Sequence, residues 1–233
     1  MMTNITENKF ESRNSLLKAL GCDIMQILSN ALMERDYASM LLSAGTTPGP
    51  LYEALSKEDI DWSKVWLAPT DERWVELDHK DSNEKFITNT LLKNKAKNAH
   101  YMSLKSSAET PQLGQKQCRQ NIENLPKPYD IVLLGMGEDG HVASLFPQLP
   151  DTMDALAPNN DQLCHAIDRP NGQTARMTMT LNNLLTSKRV YLFFYGAKKL
   201  AIYEAAKKQR QDQLPVSYIL HQNNVPISLY WTE

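Results

Sequence analysis

The 233-residue chain is predicted to be an α/β protein, built on a doubly wound, largely parallel sheet flanked by helices on both faces. Three observations predict this. Ile131 to Leu134 are four consecutive branched aliphatics, the pattern of a parallel strand buried on both faces. Strand-like apolar runs alternate with segments of helical periodicity, which implies βαβ connections. Several of those runs end in loops of small residues, and in open α/β sheets ligands bind at the carboxyl ends of the strands.

Taken in order, leucines and isoleucines at 16, 17, 20, 24, 27, 28 and 32 recur at three- and four-residue spacing and predict an amphipathic helix from Ser15 to Arg35. Met40-Leu41-Leu42 is a short strand. It ends in Ser43-Ala-Gly-Thr-Thr-Pro48, after which Leu51 to Leu55 read as a helix. Such a strand, loop and helix start turns backbone N–H groups toward one point and suits a phosphate. An ordinary turn with a Thr cap and a first-turn proline has the same pattern.

Val65 to Ala68 is a further strand, followed by the charged cluster Asp71-Glu72-Arg73. An Asp–Arg pair there can bind a polar substrate or polarise a carbonyl, but read alone the cluster is better accounted for as a solvated loop with a surface ion pair. Ser82-Asn83 caps a helix running through Leu92, with Lys93, Lys95 and Lys97 suited to its C-terminal end. Pro111 to Leu125 is another helix, stopped by Pro126 and Pro128 before the central strand. Asp151 to Asp161 reads as a loop, and Gln162 to Ile167 as a strand.

Arg176-Met-Thr-Met-Thr180 alternates polar with apolar, as a half-buried strand does. Val190 to Tyr195 is a strong strand, and Gly196 turns it into a helix reaching Lys207. Lys199 then lies in the first helical turn, where the macrodipole disfavours a cation unless an anion lies between them. A lysine directed sideways into water is the alternative. Pro215 to Leu220 reads as a short helix and Ile227 to Trp231 as a last strand.

Composition narrows the function classes. A hydrophobic content of 42%, a charged content of 22% and a net charge of −2 suit a globular protein with no nucleic-acid footprint and no electrostatic membrane anchor. One domain spanning 1–233 is expected. Cys22, Cys118 and Cys164 are widely spaced and odd in number, against a disulfide framework or a zinc site, so the cytoplasm is the expected compartment. The polar start and the short apolar runs predict neither a signal peptide nor a membrane span. The five histidines lack H-x-x-x-H or H-E-x-x-H spacing, so no metal is expected.

The stretch Gly135-Met-Gly-Glu-Asp-Gly-His141 is the densest in chemistry. Three glycines bring Glu138, Asp139 and His141 to the end of the buried strand. The run also fits the dinucleotide fingerprint G-x-G-x-x-G, but Asp139 and His141 occupy the loop itself and Pro147 and Pro150 follow soon after.

In these blocks, met in this order, the chain resembles the family of 6-phosphogluconolactonases and glucosamine-6-phosphate isomerases/deaminases. They are Ser43 to Pro48, Asp71 to Val75 with His79 and Ser82-Asn83, Gly135 to Pro147, Arg176 to Thr180, Gly196 to Lys199, and Leu214 to Trp231. The chain departs from the family at Ala44, where a second glycine is usual. The resemblance implies hydrolysis of 6-phospho-D-glucono-1,5-lactone to 6-phosphogluconate without a cofactor, by a monomer or weak homodimer whose only partner is the small-molecule substrate.

Carried over residue by residue, Ser43, Gly45, Thr46, Thr47, Arg176 and Lys199 would hold the phosphate. Asp71 and Arg73 would line the sugar ring, His141 would be the base, and Asp139 would position the substrate or the imidazole. Neutral histidine, with a reference pKa of about 6.5, suits removal of a proton from water near neutral pH. An isomerase or deaminase on the same scaffold, or a non-catalytic sugar-phosphate sensor, are the competing readings. The isomerases typically carry a carboxylate five positions beyond the histidine, where this chain has Phe146.

Overall fold

A computed structural model describes residues 5–233. Among them the strands are β1 (Ile5–Lys9), β2 (Ala38–Leu42), β3 (Val65–Pro69), β4 (Asp71–Arg73), β5 (His100–Tyr101), β6 (Ile131–Gly135), β7 (Cys164–Ile167), β8 (Arg176–Met179), β9 (Val190–Tyr195) and β10 (Ile227–Thr232). Seven of these form one sheet in the order β1-β10-β9-β6-β2-β3-β5, with every pairing parallel. The other three make a small antiparallel sheet, β4-β8-β7.

The order of the large sheet contains one reversal. From β2 the chain winds outward through β3 to β5, returns to β6 on the opposite flank of β2, and winds outward again through β9 to β10. The loops leaving β2 and β6 therefore diverge and leave a crevice between them, as doubly wound sheets do at their switch point.

Eight helices are found among the described residues. Helices α1 (Arg13–Arg35), α2 (Gly49–Leu55) and α3 (Asn83–Thr90) cover one face of the large sheet. Helices α4 (Pro111–Glu123), α5 (Pro150–Leu156), α6 (Leu181–Leu184), α7 (Ala197–Lys208) and α8 (Val216–Leu220), with the small sheet, cover the other. The period of two along β6 explains its unbroken apolar run: Ile131 and Leu133 enter one core, Val132 and Leu134 the other.

In α1, Ser12 and Ser15 make a reciprocal capping box, and Leu16, Leu20, Ile24, Leu28 and Ala31 form the buried stripe. By length and composition alone this helix could cross a membrane, yet that stripe packs on the sheet.

Three expectations are corrected. Residues 151–156 lie in α5, with Pro150 at the first helical position, where its missing N–H costs nothing. Helix α3 ends at Thr90, and Lys95 and Lys97 lie in a separate 3-10 turn, so the lysines do not complement its C-terminus. The Asp71–Arg73 cluster is a strand, not a loop. β1, read only as a polar start, pairs along β10 at the sheet's edge.

Candidate active site

A cleft of about 330 Å3 opens at the switch point, between the loops that follow β2 and β6 and beside the start of α7. It is lined by Ser43, Gly45, Thr46, Thr47, Asp71, Arg73, His141, Arg176 and Lys199, so widely separated segments converge there. Asp139 does not line it but is bonded to His141, which does. His79, quoted with the same sequence block, pairs with Asp81 on the surface and is not among the lining residues.

The loop after β6 closes on itself before any helix begins: the Gly137 N–H donates to the His141 carbonyl at 2.9 Å. A Cβ at Gly137 would sit 2.2 Å from His141 Nδ1 and 2.6 Å from Asp139 Oδ1, so only glycine permits this packing. Gly140 adopts φ 78°, in the left-handed region.

His141 Nδ1 lies 2.5 Å from Asp139 Oδ1, which also accepts the His141 backbone N–H at 3.1 Å. A carboxylate there fixes the tautomer with the proton on Nδ1, leaving Nε2 as the acceptor. Burial pushes the Asp139 carboxyl up, but the hydrogen bond and charge of His141 outweigh it and hold the group at about 2. The imidazole packs against Phe146, centroids 4.7 Å apart, and the Arg169 guanidinium lies over the same ring at 3.5 Å.

The loop after β2 forms the opposite wall. Gly45 takes φ 127°, while Ala44 is not among the residues with positive φ, so the missing second glycine is accommodated without strain. Tyr52 Oη donates to the Ser43 carbonyl at 2.6 Å and anchors the loop. The Thr cap of the ordinary-turn alternative is absent: Pro48 occupies the N-cap of α2, with no side-chain cap bond.

Among the described residues, Ser43 Oγ and Arg176 Nε and Nη1 are buried without a hydrogen-bond partner. Burial lowers the Arg176 pKa, and the neighbouring Arg73 charge adds to that; burial likewise lowers that of Lys199, opposed by Glu138 and Asp139. Desolvated cations with unused donors are costly unless an anion joins them. This end of the cleft is built for one.

The small sheet supplies the third wall. In its register Asp71 pairs with Thr178 and Arg73 with Arg176, so these four share one face, while Met177 and Met179 enter the core on the other. Ser144 Oγ donates to Asp71 Oδ2 at 2.6 Å, and Arg73 Nη1 donates to the Asp81 carbonyl at 2.8 Å. Glu72, on the reverse face, accepts from the backbone N–H groups of Arg73, Asn83 and Glu84, each at 2.7 Å, tying β4 to the start of α3. Burial pushes its carboxyl up to about 7, against the downward pull of those amides.

Sequence reasoning missed Ser144, Glu72 and Asn83 as parts of the site. Asn83 was legible as part of a helix cap and of a block resembling the family, with no role of its own. The alternation within Asp71-Glu-Arg73 was the available signal that the middle residue faces away from its neighbours.

Fold and cleft together define a class: a doubly wound α/β protein with a carboxylate-bound histidine and unpartnered cationic donors lining one cleft at the switch point. The chain belongs to the glucosamine-6-phosphate isomerase/6-phosphogluconolactonase family, whose description matches residues 11–231. It is 31% identical over 223 residues to a 6-phosphogluconolactonase of Rhizobium meliloti (95% of this chain, 96% of the relative). A 6-phosphogluconolactonase of Pseudomonas putida is 33% identical, covering 93% of this chain and 88% of its own. The crystal structure of a 6-phosphogluconolactonase from Shewanella baltica superposes with a TM-score of 0.94 at 33% identity, over 100% of both chains.

Proposed function

We propose that this chain hydrolyses 6-phospho-D-glucono-1,5-lactone to 6-phospho-D-gluconate, the second step of the oxidative pentose phosphate pathway. The observation that carries the reading is the Asp139-bound His141 lining one cleft together with Arg176, whose buried donors have no partner. The similarity to 6-phosphogluconolactonases over the whole chain supports it.

In this mechanism Arg176, Lys199 and the Ser43–Thr47 loop hold the phosphate. His141 Nε2 takes a proton from water as the water oxygen attacks the lactone carbonyl. Arg73 and the N–H groups of the glycine loop stabilise the oxyanion, a contribution of roughly 3 kcal/mol per donor. The bond from the carbonyl carbon to the ring oxygen then breaks, and His141 returns the proton to that oxygen. Asp139 holds the imidazole in the productive tautomer throughout.

A lactone carbonyl is already activated, so water, one base and an oxyanion site suffice without a metal. Isomerisation or deamination of an amino sugar needs further acid–base groups, and Phe146 can neither give nor take a proton.

The test is a coupled assay on freshly generated lactone, with 6-phosphogluconate formation measured against spontaneous hydrolysis. Catalysed hydrolysis that survives EDTA, with no ammonia released from glucosamine 6-phosphate, is the expected result. Deaminase activity without lactonase activity would reverse the assignment, and loss on chelation restored by a divalent ion would overturn the metal-free mechanism.

A further inference from the structure

The cleft contains one buried acceptor that neither the phosphate wall nor the proton transfer uses. Asn83 is the first residue of α3 and is 2% exposed. Its backbone N–H donates to Glu72 at 2.7 Å, and its side-chain Nδ2 donates to the Asp71 carbonyl oxygen at 2.7 Å. These two bonds fix the side chain. A flipped amide would set two acceptors against each other at Asp71, so the nitrogen must face that carbonyl and the oxygen must face away from it.

That oxygen, Asn83 Oδ1, is buried without a hydrogen-bond partner among the described residues, and Asn83 lines the cleft. An amide oxygen only accepts. Its complement is therefore a donor on the ligand. Asp71, beside it, accepts from Ser144 Oγ at 2.6 Å through Oδ2, so Asn83 Oδ1 is the acceptor left without a donor in a cleft where Arg176 has donors without an acceptor. A phosphorylated polyol matches both: its anion meets the cations and a hydroxyl meets Asn83 Oδ1.

We propose that Asn83 is a specificity-determining residue, its Oδ1 accepting a hydrogen bond from one ring hydroxyl of the sugar-phosphate substrate. The inference deepens the lactonase reading and rests on it for the identity of the ring. Its consequence is discrimination: a ring lacking that hydroxyl would enter the cleft and leave a buried oxygen unpaired, which is the arrangement that rejects deoxy analogues most strongly.

The test crosses protein variants with substrates. Wild type, Asn83→Ala and Asn83→Ser are assayed on 6-phosphogluconolactone and on its 2-, 3- and 4-deoxy counterparts, with circular dichroism as the check on folding. Wild type should lose about tenfold or more in kcat/KM on one deoxy lactone. The variants should lose a similar factor on the parent lactone and show little further loss on that same analogue. A penalty equal on all four lactones would mean that Asn83 only supports Asp71 and would overturn the proposal.

Binding of glucose 6-phosphate and its three deoxy forms, by calorimetry, reads the same contact without turnover. Selectivity that is abolished in both variants supports the hydroxyl contact even in a protein that fails to hydrolyse the lactone. Catalysis without any such selectivity in wild type overturns the contact and leaves the lactonase reading intact.

Discussion

At the scale of single residues, the proposed mechanism turns on how two side chains are tied together. His141 has its Nδ1 committed to Asp139, so in that mechanism it works through Nε2. His141→Ala should lower kcat by roughly 10²-fold or more with substrate binding retained, as expected for loss of a general base; near-normal turnover in steady-state assays would remove it from the mechanism. Asp139 carries a separate, pH-dependent signature. Its carboxyl is held at about 2, below its ordinary 3.8, so it adds stability that is present above 3.8 and is lost as pH falls toward 2. The stability difference between wild type and Asp139→Asn, from denaturant midpoints, should narrow as pH falls below about 4. A constant difference down to about pH 3 would contradict the coupling. All ten site residues named from sequence either line the cleft or bond to one that does; residue type alone left each block with a bland alternative, and it was their order along the chain, in its resemblance to a family, that singled them out. Asn83 and Ser144 were given no role, since an amide and a hydroxyl acquire one only through partners brought in from β4.

At the scale of elements, the cleft depends on two local devices. The first is the close approach in the glycine loop. A methyl at Gly137 would overlap His141 Nδ1 at 2.2 Å, so Gly137→Ala should displace the imidazole and reduce kcat while the fold persists. A misplacement of about 1 Å is enough to cost roughly 10²-fold; unchanged kcat would show that the loop relaxes freely. The second is the clasp between β4 and α3. Each Glu72 oxygen accepts from two donors, Oε1 from the Arg73 and Asn83 amides and Oε2 from the Glu84 amide and Ser82 Oγ. Glu72→Gln turns one of those oxygens into an N–H₂ group facing donors, and should lower unfolding free energy by about 1–3 kcal/mol. A variant as stable as wild type would show the clasp to be dispensable. Elements with a clear period or an apolar run were legible in sequence: α1, β6, β8 and β9 lie within a few residues of their expected bounds. Those that exist only through tertiary pairing were not. β1 is a polar edge strand defined by β10, and β4 is three charged or polar residues given strand geometry by β8.

At the scale of the whole molecule, the topology explains why so many distant segments meet. The reversal between β2 and β6 opens the crevice, β9 delivers Lys199 to its rim, and the small sheet closes it with Arg176 and Asp71. None of these segments is a neighbour of the others in sequence, so a ligand that spans the cleft ties together both halves of the winding. Such a ligand binds the folded chain and not the unfolded one, and at 100 times its dissociation constant it stabilises by about 2.7 kcal/mol. 6-Phosphogluconate should therefore raise Tm in a concentration-dependent manner. In the proposed binding mode the phosphate supplies the anion that the buried Arg176 donors lack, so unphosphorylated gluconate at the same concentration should raise it far less. Arg176→Ala should blunt the response to 6-phosphogluconate, since each charge-assisted bond to phosphate contributes about 1.5–3 kcal/mol. The variant without ligand need not be less stable than wild type, because it no longer buries an uncompensated cation. Equal shifts with the two gluconates, or a full response in Arg176→Ala, measured by differential scanning calorimetry, would remove the phosphate from that end of the cleft.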